Sequence, residues 1–188
     1  MSIFDKLNSA AADTAKTVEE AAECKREQFT FSALPESLAE LKAMPEASLL
    51  SPFQTAALTV CALCAYAADR QTGTEMLNWL RGPRPLTGHD ISFLNDRFRG
   101  GRLYLPLSYF AGAVPENSYT PARPFTLYVE SSCISAAEQG YMKLFINSGG
   151  ADSPRPIKLR KKGDGRWFLW EQYLLTDIRP PKSADLWA

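Results

Sequence analysis

A single histidine, four cysteines and no excess of either charge leave this 188-residue chain with few of the usual tools of chemistry. Cysteines this sparse do not build a disulfide framework, which fits a reducing compartment and points to the cytoplasm. Twenty-one Lys and Arg residues balance twenty-one Asp and Glu residues, so no strong overall field steers a nucleic acid or an anionic membrane towards the molecule. The first 28 residues lack the apolar run of a secretory signal. The longest uncharged stretch, residues 47–68, is interrupted by Ser48, Ser51, Pro52, Gln54, Thr55 and Thr59. It reads as a buried helix and not as a membrane span. The catalytic signatures Gly-x-Ser-x-Gly and His-Glu-x-x-His are missing, as is a glycine-rich phosphate loop.

What remains has the make-up of a globular protein, 45% hydrophobic and 11% aromatic, with charge unevenly placed along it. Residues 1–50 hold five basic and nine acidic side chains, whereas residues 155–166 hold six basic side chains against Asp164 alone. Residues 2–27 predict one amphipathic helix, its thin seam made by Phe4, Leu7, Ala11, Thr14, Val18 and Ala21. Such a helix is marginal alone in water and would dock on the body, a partner or a second copy. Residues 1–28 are therefore read as an appendage for a protein partner or for self-association, and 29–188 as one α+β domain.

Helices are expected over about 36–99. Ser51-Pro52 opens the strongest, from 53 to 68; Gly82-Pro83 stops the next, and Thr87 with Asp90 three residues on caps a third. Residues 102–124, with four prolines, are expected as extended loop with at most one short strand. Alternating patterns over 125–130, 141–147, 157–162 and 166–175 predict an antiparallel meander of about four strands. Gly163-Asp164-Gly165 is its clearest turn, compatible with a two-residue or a three-residue loop. That choice decides which face Lys158, Arg160 and Lys162 share with the neighbouring tryptophans.

Several short stretches carry a resemblance. They include Phe31-Ser32-Ala33-Leu34-Pro35-Glu36-Ser37, Met76-Leu77-Asn78-Trp79-Leu80, and Tyr109-Phe110-Ala111-Gly112-Ala113. Further ones are Gly150-Ala151-Asp152-Ser153-Pro154-Arg155, and Lys158-Leu159-Arg160-Lys161-Lys162-Gly163 leading into Trp167-Phe168-Leu169-Trp170-Glu171-Gln172. Over about residues 29–188 the chain resembles a family of uncharacterised bacterial proteins, a domain of unknown function. The resemblance implies a single domain and brings no activity, cofactor or catalytic residue.

Each candidate for chemistry has a plainer structural alternative. Cys61-Ala62-Leu63-Cys64 has redox or half-zinc spacing, but it lies inside an apolar helix, where cysteine packs as a small hydrophobe. No metal site and no cofactor is expected. His89 could act as a base, yet first-turn histidines commonly face solvent. Glu171, inside an aromatic strand, could be a tuned acid or base, or the cross-strand ion-pair partner of Lys158. Lys158, Arg160 and Lys162 beside Trp170 have the ingredients of a weak single-stranded nucleic-acid platform, against which the neutral total charge speaks. Tyr109 and Tyr119 could line a small-molecule pocket between the 104–124 loop and the sheet, or simply clamp that loop. The leading expectation is a non-catalytic binding domain for a protein partner or small ligand. An enzyme using Glu171 or His89 under the tyrosine loop is the alternative, with nucleic-acid binding third.

Overall fold

The computed structural model describes residues 25–132 and 138–184. The chain is α+β, with helices in its first half and an antiparallel sheet that its second half largely builds. Strand β1 (Arg26–Phe31) comes first, then helices α1 (Leu38–Ala43), α2 (Pro52–Ala68), α3 (Arg70–Arg81), α4 (Gly88–Arg97) and the short α5 (Tyr104–Leu107). Strands β2 (Phe125–Ser131), β3 (Tyr141–Ile146), β4 (Arg155–Lys161) and β5 (Trp167–Gln172) follow. The sheet order is β1-β2-β3-β4-β5, every neighbouring pair antiparallel.

β1 corrects two expectations. The sheet has five strands where about four were expected, and Arg26 and Glu27 belong to a strand where a helix over 2–27 was expected. Phe29 and Phe31 are buried while Gln28 and Thr30 are exposed, the period-two pattern of a half-covered strand. Lys25 is not helical either, and residues 2–24 of the expected N-terminal helix lie outside the described residues. A further correction concerns 102–124, which folds into α5 and a 3-10 turn at Pro115–Asn117 and contains no strand.

The core sits between α2 and the sheet. α2 begins with a reciprocal cap: Ser51 Oγ accepts from the Phe53 amide at 3.3 Å, and Gln54 Oε1 accepts from the Ser51 amide at 3.3 Å. Pro52 follows at the first turn, where its missing N–H costs nothing. The helix is apolar nearly all round because α3 covers one side and strands β2 to β5 another. Its two buried threonines are satisfied locally, Thr55 Oγ1 donating to the Trp167 carbonyl at 2.9 Å and Thr59 Oγ1 to the Thr55 carbonyl at 2.8 Å. Leu127, Val129, Leu144, Ile146, Ile157 and Leu159 meet α2 from the sheet with no exposed surface, each contributing about 1.5–3 kcal/mol of apolar burial. α3 comes close because Gly73 has no side chain; a Cβ there would overlap the Tyr66 backbone.

Both hairpin registers are present. Lys161 faces Trp167 and Lys162 N–H donates to the Arg166 carbonyl, which makes a three-residue loop of Gly163, Asp164 and Gly165. Beyond a bulge between Lys158 and Leu159 the register advances, so that Lys158 faces Glu171 as a two-residue loop would require. Trp170 is the extra residue, the position at which a bulge re-aims a side chain.

Candidate functional site

Trp170 is aimed at the chain returning from α3. That helix stops at Gly82, whose φ of +59° is left-handed, a region glycine enters without steric cost. A Cβ at Gly82 would also overlap the Phe168 ring, so this glycine lets residues 82–86 lie against β5. From that segment Arg84 places its guanidinium over the Trp170 indole, 4.3 Å from the ring centroid. Arg160 meets the same indole at 4.7 Å, and Tyr141 approaches it edge-on at 5.5 Å.

Between this segment, α4 and β5 is a cleft of about 330 Å³. Leu63, Leu77, Phe93 and Leu94 provide apolar lining, and Arg81, Arg84, His89, Asp90 and Glu171 provide charge and polarity. Arg81 ends α3 and is only 7% exposed. Its Nε donates to the Arg84 carbonyl at 3.0 Å, while Nη2 forms an ion pair with Asp90 Oδ2 at 3.6 Å, longer than a hydrogen bond. Burial lowers the Arg81 pKa and Arg84 adds to this, with Asp90 and Glu171 opposing; a guanidinium nevertheless stays charged.

α4 carries Asp90 into place through a capping box. Thr87 N–H and Oγ1 donate to Asp90 Oδ2 at 2.8 and 2.7 Å, and Asp90 N–H returns a bond to Thr87 Oγ1 at 3.2 Å. Burial works against the Asp90 charge, but the Thr87 donors and then Arg81 and Arg84 outweigh it and hold the carboxyl below its ordinary range. His89 is exposed on the same helical turn, and Glu171 is exposed on β5, its Oε2 accepting from the Tyr173 hydroxyl at 3.3 Å.

The structure thus brings His89, Glu171 and Trp170 together, and adds Arg81, Arg84 and Asp90. The expected Lys158–Glu171 ion pair does not form: the two residues are opposite one another, but Lys158 Nζ turns to Glu138 Oε2 at 2.7 Å. Lys162, just past the end of β4, pairs with Asp164 at 3.1 Å, so of Lys158, Arg160 and Lys162 only Arg160 has no ion pair among the described residues.

Tyr109 and Tyr119 are elsewhere and are sealed. Tyr109 Oη donates to the Leu174 carbonyl at 2.6 Å and Tyr119 Oη to the Arg179 carbonyl at 2.7 Å, both rings being buried. Burial pushes the Tyr109 phenol well up. Tyr104 stacks on Tyr119 with centroids 5.1 Å apart. Neither Tyr109 nor Tyr119 lines the Trp170 cleft or a second, more apolar one of about 590 Å³. That second cleft lies where the C-terminal end of α2 meets Leu34, Leu103, Leu107 and Arg123. Cys64 touches it; Cys61 is buried, neither thiol is in a disulfide, and burial raises both thiols above their usual range. Such thiols are packing groups, not activated nucleophiles. Among the described residues no group of three or more His, Cys, Asp and Glu side chains is placed to hold a metal ion. No described helix is long and apolar enough to cross a membrane.

Fold and cleft together define an α+β protein with helices over one face of an antiparallel sheet and a cleft of mixed charge at the β5 edge. The chain belongs to the family described as a domain of unknown function, DUF6935, whose model matches residues 33–182. No curated protein and no solved structure matches the chain.

Proposed function

We propose that the protein is a non-catalytic binding domain and that the cleft beside Trp170 is its small-ligand site. One observation carries this reading: Arg81, nine-tenths buried, faces a cavity together with Arg84, which is stacked on an indole and has no ion pair among the described residues. Charged groups held in a concave, partly apolar setting are the usual furniture of a ligand site. Its volume is at the low end for such sites, which suits a metabolite-sized molecule. A thermal-shift screen of the full chain tests it. A ligand at about 100 times its Kd stabilises by about 2.7 kcal/mol, on the order of 5–10 °C for a chain of this length. Arg84→Ala and Trp170→Ala should each abolish the shift produced by a hit. A screen without hits, or hits indifferent to both substitutions, overturns the reading.

His89 and Glu171 in one cleft favour a second reading, an enzyme using them as acid and base. Turnover of a bound compound that Glu171→Gln and His89→Gln each slow by about a hundredfold or more supports it; tight binding without turnover returns the site to binding alone.

Nucleic-acid binding has less in its favour, since Lys158 and Lys162, two of the three basic residues that suggested it, are paired with Glu138 and Asp164. For the N-terminal segment we infer a docking or self-association role, in a cytoplasmic setting consistent with the unpaired thiols. Light-scattering mass of the full chain and of a variant lacking residues 1–24 tests this, because a cut at residue 28 would remove half of β1. Equal masses per chain would exclude self-association.

A further inference from the structure

Resting on the cleft as a binding site, we infer that its ligand is a small zwitterion with an apolar body, of the kind represented by an apolar α-amino acid. The charges in the cleft come in two opposite pairs. Arg81 and Arg84 supply two cations from the end of α3 and the segment after it, while Asp90 on α4 and Glu171 on β5 supply two anions. The four sum to zero, with the exposed His89 the remaining titratable group of the lining besides Tyr173. A ligand of one sign would therefore unbalance a partly desolvated set, leaving charges of its own sign facing it without compensation.

Each charged head also keeps capacity that the protein does not use. Arg84 makes no ion pair and no side-chain hydrogen bond among the described residues, and Arg81, ion-paired with Asp90 at 3.6 Å, makes no hydrogen bond to that carboxylate. All contacts of the Asp90 carboxylate fall on Oδ2, and that of Glu171 falls on Oε2. Oδ1 and Oε1 thus have no protein donor among the described residues. A carboxylate on the ligand would take the guanidinium N–H groups, whose planar fork matches it. An ammonium would take the free carboxylate oxygens. Leu63, Leu77 and Phe93 remain for the apolar body, and the cavity of about 330 Å³ is sized for one such molecule rather than a nucleotide or a longer peptide.

Three probes of nearly one shape separate the charges: L-phenylalanine, 3-phenylpropanoate without the ammonium, and phenethylamine without the carboxylate. Calorimetric titration of the full chain should give phenylalanine the lowest Kd, about tenfold or more below either analogue. Arg84→Gln should raise the Kd of phenylalanine and phenylpropanoate while sparing phenethylamine. Glu171→Gln should do the reverse, weakening phenylalanine and phenethylamine alone. Both positions are exposed, so the variants are expected to fold, which thermal melts check. Equal binding of all three, or a single-charge analogue binding best at the cleft, overturns the zwitterion assignment and leaves the site standing. If no probe binds, the assignment also falls; the wider screen with Trp170→Ala then decides the fate of the cleft itself.

Discussion

The tyrosine loop and the Trp170 cleft are both aromatic, both irregular and both anchored on the sheet, yet they treat polar atoms in opposite ways. Around the loop, the hydroxyls of Tyr109 and Tyr119 are spent on the carbonyls of Leu174 and Arg179. In the cleft, Arg84 rests on the Trp170 indole with no ion pair and no side-chain hydrogen bond among the described residues, and Arg81 meets Asp90 only as an ion pair at 3.6 Å. A buried polar group with its hydrogen bonds made inside the protein holds structure together. A guanidinium whose donors are not taken up by the protein is free to meet a ligand's acceptors. Aromatic content therefore marks neither region as functional; the accounting of donors and acceptors does.

The sharpest way to break this contrast is in the loop. Tyr109→Ala should destabilise by about 3–5 kcal/mol, through the lost ring and the cavity left behind, lowering Tm by on the order of 10 °C. Tyr109→Phe isolates the hydroxyl and should cost about 1–3 kcal/mol, because the Leu174 carbonyl is left buried without its donor. A Tm unchanged by Tyr109→Phe would mean that the hydroxyl is available for a ligand after all. Gly150→Ala acts at the neighbouring anchor, where a Cβ would overlap the Tyr119 hydroxyl. Urea unfolding should show a loss of about 1–3 kcal/mol, the usual cost of overpacking.

Substitution in the cleft should behave differently. Arg81→Met removes a desolvated charge while keeping its bulk, and Asp90 retains both Thr87 donors. The expected loss is about 1–2 kcal/mol, smaller than for Tyr109→Ala, because the part-exposed Asp90 loses its ion-pair partner and the Arg84 carbonyl loses its donor while no cavity is opened. A loss as large as that of Tyr109→Ala would make Arg81 a structural residue and erase the distinction between the two regions.

The smallest effect concerns pH. Asp90 has its folded-state pKa depressed, so its contribution is fully present above the unfolded carboxyl value of about 3.9 and fades as pH falls through the folded value. Stability measured in urea between neutral and strongly acid pH should therefore fall less steeply in Asp90→Asn than in the parent below about pH 4. Parallel curves would show that the capping box adds nothing to the Asp90 charge.

Local signals made much of this fold legible. Ser51-Pro52 ahead of an uncharged run marked α2 within a residue, and Thr87 with Asp90 marked the start of α4. Strands β2 to β5 announced themselves by alternation. β1 was hidden because its visible alternation is short and its partner β2 lies about a hundred residues away, so only tertiary pairing stabilises it. The hairpin stayed ambiguous for a physical reason: the bulge at Trp170 makes both registers true, one on each side of it. Of the site, Trp170, Glu171 and His89 could be singled out as odd residues in their contexts, although not as neighbours. Arg81 looked like an ordinary cation in the last turn of a helix, and Arg84 like part of a loop. The one sequence clue was Arg81-Gly82-Pro83-Arg84, two arginines astride a helix stop that folds them back together.

The indole N–H signals of the full chain, assigned with Trp170→Phe and followed during titration with L-phenylalanine and with the strongest stabiliser from the screen, test the central claim most directly. The account expects a saturable shift of the Trp170 signal while the amides of Tyr109 and Tyr119 stay in place. A Trp170 signal that does not move while the tyrosine loop, or the apolar cleft beside Cys64 and Leu103, responds would contradict it.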